Sequence, residues 1–130
     1  MSEENVETLK RVIAAWNRRD LEGWLKFVHP EIEWQGAFTR LEGTKFRGRE
    51  GMRLYWSETF AALELVTSLD EVRDLGDTVV GLGQLRGRSH GGIPIDTQYG
   101  VVMVLRDGLA IRGSDWSSHA DALEAAGLSE

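Results

Sequence analysis

An α+β fold, with N-terminal helices packed on a strongly curved antiparallel sheet that encloses a pocket, is what this sequence predicts, and three observations carry it. Apolar residues recur at helical spacing as far as Phe60 and alternate from Leu63 onward. Gly76-Asp77 and Asp107-Gly108 read as two-residue hairpin turns, because their glycines accept the positive backbone angles such turns demand. The strand before the second turn is apolar on both faces, with Tyr99, Val101, Met103 and Leu105 on one and Gly100, Val102 and Val104 on the other. Such a sheet must be covered on both sides. Helices can cover one face, so a second copy of the chain is expected on the other.

The elements follow in order. A first helix is expected from Asn5 to Arg18, where Val6, Leu9, Ile13 and Trp16 form one face. Glu3 and Glu4 suit its positive end. Asp20 is the expected N-cap of a second helix, whose stripe of Leu21, Trp24, Leu25 and Val28 runs until Pro30 forbids continuation. Glu31 to Trp34 reads as a short strand, and 36–48 as a charged, glycine-rich loop. A third helix over Arg49 to Phe60 places Met52, Tyr55, Trp56 and Phe60 on one face. Strands are expected at Leu63 to Leu75, Thr78 to Arg88, Asp96 to Arg106 and Leu109 to Ser117. A last helix over His119 to Ala126 ends with Gly127 in a C-terminal cap.

A chain of 130 residues without repeats or a linker fits a single domain, 1–130, with room for one core and one cavity. Net charge −6 and only two diluted basic clusters argue against nucleic acid as a partner. The lack of cysteine excludes disulfides, a thiolate nucleophile and a thiolate zinc site. The opening Ser2-Glu3-Glu4 does not look like a signal peptide, and no apolar run approaches a membrane span, so a cytoplasmic location away from membranes is expected.

Several segments together resemble the nuclear transport factor 2-like superfamily, and within it the small SnoaL-like proteins. They are Ala15-Trp16-Asn17 with Asp20-Leu21, His29-Pro30-Glu31 with Glu33-Trp34, Phe46 to Gly51, Leu105 to Gly108, and Ala120 to Leu128. The set spans nearly the whole chain in order. The resemblance implies a cone with a mostly apolar cavity, helices along its sides and, in many members, a homodimer through the sheet. It implies a small apolar or aromatic ligand, no cofactor, and either a cofactor-independent polyketide cyclase or isomerase, or a binding module without chemistry. The steroid isomerases of the superfamily keep catalytic groups where this chain has Val12 and Trp34, so their chemistry does not carry over.

Candidate residues follow from the residues themselves. Trp16, Trp34 and Trp56 come from different elements that a cone would converge on one region, and aromatic walls are typical of small-molecule pockets. Each also fits a plain core position. Asp115 continues the register of Ile111 and Gly113; facing the cavity, it would be a desolvated general acid or base. Alternatively it ends the strand, pairing with Arg112 or helping cap the last helix. His90, in His90-Gly91-Gly92-Ile93-Pro94, resembles the loop histidine of the polyketide cyclases, where a histidine and a last-strand aspartate move protons; its other reading is a solvated turn residue. Gln84 shares a face with Val80, Leu82 and Arg86 and would orient a ligand oxygen if that face points inward. Tyr55, Tyr99 and Met103 are ligand-wall candidates and, equally, core residues. No spacing among the histidines and acids forms a metal site.

Overall fold

The computed structural model describes residues 2–128. In chain order it contains α1 (Ser2–Asn17), α2 (Leu21–Leu25), β1 (Val28–Gln35), a single 3-10 turn (Arg40–Glu42), β2 (Phe46–Arg47), α3 (Gly48–Ala62), β3 (Leu63–Asp74), β4 (Thr78–Ser89), β5 (Pro94–Arg106), β6 (Leu109–Trp116) and α4 (His119–Ala125). The six strands form one curved sheet in the order β2-β1-β6-β5-β4-β3. Every pairing is antiparallel except β1 with β6, which run parallel. No helix among the described residues is long and apolar enough to cross a membrane.

The predicted change of period falls where expected, with α3 ending at Ala62 and β3 beginning at Leu63. The turn at 107–108 has φ of 55° and 78°, so both central residues adopt the left-handed conformation of the tightest hairpins, which glycine tolerates best.

The second helix ends earlier than the sequence suggests. Asp20 does cap it, its Oδ1 accepting the Gly23 N–H at 2.9 Å. The chain then tightens through Phe27 N–H to the Trp24 carbonyl, and Val28, His29 and Pro30 belong to β1. Pro30 therefore does not terminate a helix. It sits where the β1–β6 register slips between Val28 and Glu33, which suits a residue with no N–H for a ladder.

Two apolar clusters hold the sheet. The larger joins α1, α2 and α3 to one sheet face, through Leu9, Val12, Ala15, Trp16, Trp24, Met52 and Trp56 against Val79, Val101 and Met103. At the end of α1, the Asn17 side chain donates to the Thr67 carbonyl at 2.7 Å and accepts the Thr67 N–H at 2.9 Å, which fixes the helix to β3. The smaller cluster packs Ala122 and Leu123 of α4 on Val80, Leu82 and Val102 of the opposite face. The expectation that helices cover one face only is thus corrected: α4 covers part of the second.

Candidate functional site

Alternation along β5 and β6 decides what the larger cluster encloses. Asp115 lies directly across from Val101, and Gly113 across from Met103, so Asp115 shares the helix-facing side of the sheet. It is 5% exposed. A carboxylate at such a depth must be hydrogen-bonded. Its Oδ2 accepts the Trp34 indole N–H at 2.8 Å and the Tyr55 hydroxyl at 2.5 Å, while Oδ1 accepts the Ala37 backbone N–H at 2.7 Å. Strand β1, helix α3 and the segment after β1 thus converge on one side chain.

Around it lies a cavity of about 60 Å³. Val12 and Trp16 of α1, Trp24 of α2 and Met52, Tyr55 and Thr59 of α3 form its helical wall. Leu65, Thr67, Leu85, Tyr99, Val101 and Met103 form its sheet wall, and Phe38 and Trp116 also border it. Apart from the Asp115 end, the surroundings are largely hydrocarbon and aromatic.

Electrostatics follow from this setting. Burial pushes the Asp115 carboxyl above the ordinary carboxylate range, and the hydrogen bonds from Tyr55, Trp34 and Ala37, with the Arg40 charge, offset only part of that rise. Tyr55 is pushed well above a free phenol by burial and then by the neighbouring carboxylate. Tyr99 moves the same way for the same causes. The site therefore pairs a carboxylate more basic than a surface one with phenols that keep their protons.

Arg40 fastens the 36–45 segment over the site. Its guanidinium donates to the Asp115 carbonyl at 2.7 Å and lies 3.5 Å from the Trp116 ring centroid. Gly113 makes the arrangement possible, because a Cβ there would stand 2.5 Å from Trp34 and 2.5 Å from the Val102 carbonyl oxygen. The latter is main chain and cannot step aside. Gly113→Val should therefore lower stability by about 1–3 kcal/mol and lengthen the Trp34 to Asp115 hydrogen bond. Chemical denaturation and the Trp34 indole N–H resonance check this; an unchanged midpoint would count against it.

Among the residues singled out from sequence, Asp115, Trp16, Trp34, Tyr55, Tyr99 and Met103 all border this cavity. Trp56 stands behind its wall, packed against Trp16 and Trp24 with ring centroids 5.1 Å away in each case. Gln84 pairs across the sheet with Ser68 and Gln98, in the register of Val80 and Leu82, and so projects on the α4 side. Arg86 forms an exposed pair with Asp96 at 3.5 Å. His90 is exposed in the β4–β5 turn, its backbone N–H bonded to the Ala62 carbonyl, and it does not border the cavity. Asp115 neither pairs with Arg112 nor caps α4: Ser118 accepts the Asp121 N–H there. Sequence reasoning missed the Ala37 N–H, Arg40 and Phe38, which lie in a segment without periodicity. Trp24 was visible on the predicted α2 stripe, but nothing local marked it as a cavity wall.

The arrangement of helices on a curved sheet around an apolar cavity with one polar end is shared by solved structures. A protein of unknown function from Burkholderia pseudomallei, described as nuclear transport factor 2-like, superposes with a TM-score of 0.81 at 22% identity, over 93% of this chain and 95% of the other. TerC, co-crystallised with polyporic acid, gives a TM-score of 0.79 at 25% identity, over 93% and 96%. A protein from Jannaschia sp. named as a SnoaL-like polyketide cyclase gives 0.80 at 20% identity, over 95% and 92%. The SnoaL-like domain family matches residues 9–113, and the chain belongs to that family. No curated protein matches it.

Proposed function

We propose that this protein is a cofactor-independent acid/base enzyme of the polyketide cyclase or isomerase type, acting on an apolar or aromatic ketone. The observation that carries the reading is Asp115, a carboxylate buried at the end of an aromatic cavity and bonded to Tyr55 at 2.5 Å. In the reaction, the Asp115 carboxylate takes a proton from the carbon beside the substrate carbonyl. The resulting enolate oxygen accepts a hydrogen bond from Tyr99, whose raised pKa keeps the proton on the phenol. The enolate carbon either attacks a second carbonyl of the same molecule, closing a ring, or takes a proton at another position, shifting a double bond. In each case the proton held by Asp115 returns to the product, on the new alkoxide or on carbon. TerC, a structure similar to this one and co-crystallised with polyporic acid, supports a small-molecule ligand. The same reading includes a homodimer through the outer sheet face, where a groove beside α4 is bordered by Val102, Val104 and Ala126 together with Glu33, Lys45 and Arg112.

A second reading, ligand binding without chemistry, has its own observation: both Asp115 oxygens are already bonded to the protein, so the carboxylate would serve only to tie β1, α3 and the 36–45 segment together. Exchange of the α-protons of phenylacetone in deuterated buffer, followed by NMR, separates the two. Saturable acceleration over buffer is expected. Binding without acceleration would favour the second reading.

A further inference from the structure

The two oxygens of Asp115 are not equivalent. Oδ2 accepts the Trp34 indole N–H at 2.8 Å and the Tyr55 hydroxyl at 2.5 Å, whereas Oδ1 accepts only the Ala37 N–H, at 2.7 Å, among the described residues. A carboxylate oxygen offers about two acceptor positions. Oδ2 is therefore full, and Oδ1 keeps one position open. A proton placed on Oδ2 would displace a donor and leave a buried N–H or O–H unpaired, at a cost in free energy. A proton placed on Oδ1 displaces nothing, because Trp34 and Tyr55 go on donating to Oδ2 and Ala37 to Oδ1.

What fixes Oδ1 is the 36–45 segment, and little fixes that segment. Phe38 is 60% exposed and Leu41 fully so. From residue 37 to 44, hydrogen bonds to the rest of the protein come from Ala37 and Arg40 alone among the described residues. Arg40 has no ion-pair partner among them, and its Nε is buried without an acceptor. Its guanidinium is held instead by the Asp115 carbonyl, by the Gln35 carbonyl at 3.4 Å and by the Trp116 ring. Arg40 thus grips the main chain of the same residue whose side chain Ala37 orients. Without that grip, a carboxylate held only at Oδ2 can pivot about that oxygen.

We propose, resting on the acid/base reading of Asp115 above, that Oδ1 is the atom that takes the proton and that Arg40 is a positioning residue, which keeps the Ala37 N–H on Oδ1 and so aims its open lone pair. In the step itself, the C–H bond beside the ketone breaks, its electron pair passes into the enolate, and the proton forms an O–H bond on Oδ1.

Phenylacetone exchange and amide hydrogen exchange, both followed by NMR, test this in the wild type, Arg40→Ala and Arg40→Lys. A small misplacement of reacting groups can cost about a hundredfold in rate. Arg40→Ala should therefore lower kcat for phenylacetone by about tenfold to a hundredfold, with KM within about threefold. In the same variant the Ala37 amide should exchange with solvent at least about tenfold faster, while the Thr67 amide, bonded to Asn17, stays within about twofold. Arg40→Lys, which keeps the charge and a donor for the carbonyl, should recover part of both losses together. Unchanged Ala37 protection in Arg40→Ala would overturn the positioning role, as would a raised KM with kcat kept. An equal quickening of the Thr67 amide would overturn it too, because the fold as a whole would then have loosened. So would an Arg40→Lys variant with the wild-type rate and an unprotected Ala37, since charge alone would explain the rate. A wild type that leaves phenylacetone unexchanged removes the acid/base reading. Faster Ala37 exchange in Arg40→Ala then keeps the hold of Arg40 on Oδ1, and unchanged exchange overturns both.

Discussion

Asp115→Asn should slow the α-proton exchange of phenylacetone by a factor of about 10² to 10⁴, the range typical of a lost general base, while the affinity for the ketone changes by less than about threefold. Asparagine has nearly the same shape, so the aromatic walls persist and binding survives. What disappears is the lone pair able to take a proton. The substitution also has a predictable side effect on the fold. An amide oxygen placed at the former Oδ2 can still accept from Trp34 and Tyr55, but the amide NH2 then faces the Ala37 N–H, so two donors meet. The unpaired Ala37 N–H costs about 1–3 kcal/mol, partly offset because no charge is buried. Unfolding measurements alongside the kinetics keep the two effects apart. Exchange by the variant at the wild-type rate would show that another group is the base, or that no base acts.

Trp16→Ala should be the most damaging single change to stability, lowering it by about 3–5 kcal/mol, as large aromatic truncations in cores do. Trp16 is 8% exposed, and its ring centroid lies 4.5 Å from Phe60, 5.1 Å from Trp56, 5.5 Å from Trp24 and 5.7 Å from Tyr55. It thus joins α1, α2 and α3 at one point, and its removal leaves a void that three helices cannot easily fill. A domain typically has only about 5–15 kcal/mol in total, so the variant should unfold at a much lower denaturant concentration. Trp16→Phe, which keeps a ring, should lose far less. A loss below about 1 kcal/mol for the alanine variant would mean that the helices hold together without this cluster.

Most of the fold is legible in the sequence because its signals are local. The switch from helical to alternating spacing between Phe60 and Leu63, and the glycine turns after β3 and β5, each depend on a few adjacent residues. Asp115 was legible for the same reason, since period-two alternation from Ile111 through Gly113 places it on a definite face. Which face that was is a tertiary fact. Strand β4 presents Val79 and Leu85 to one side and Val80 and Leu82 to the other, and only the docking of Ala122 and Leu123 on the second side shows that Gln84 points away from the cavity. His90 follows the same logic: no sequence signal says how far a hairpin tip lies from the far end of a neighbouring strand. The 36–45 segment was illegible because Ala37 acts through its backbone and Arg40 through a carbonyl and a ring, none of which leaves a pattern.

Burial makes Asp115 more basic than an ordinary carboxylate while Tyr55 and Trp34 hold it in place. Carboxyl ¹³C NMR, with Asp115 assigned by its loss in Asp115→Asn, tests this directly across a pH titration. Because the folded-state value is raised by burial, the neutral carboxyl stabilises the fold below the unfolded-state value, and that contribution is lost as pH rises through the folded-state value. The wild type should therefore gain stability relative to Asp115→Asn as the solution is acidified through this window. A titration midpoint above that of exposed aspartates is the predicted result, and a midpoint at or below theirs would contradict the account.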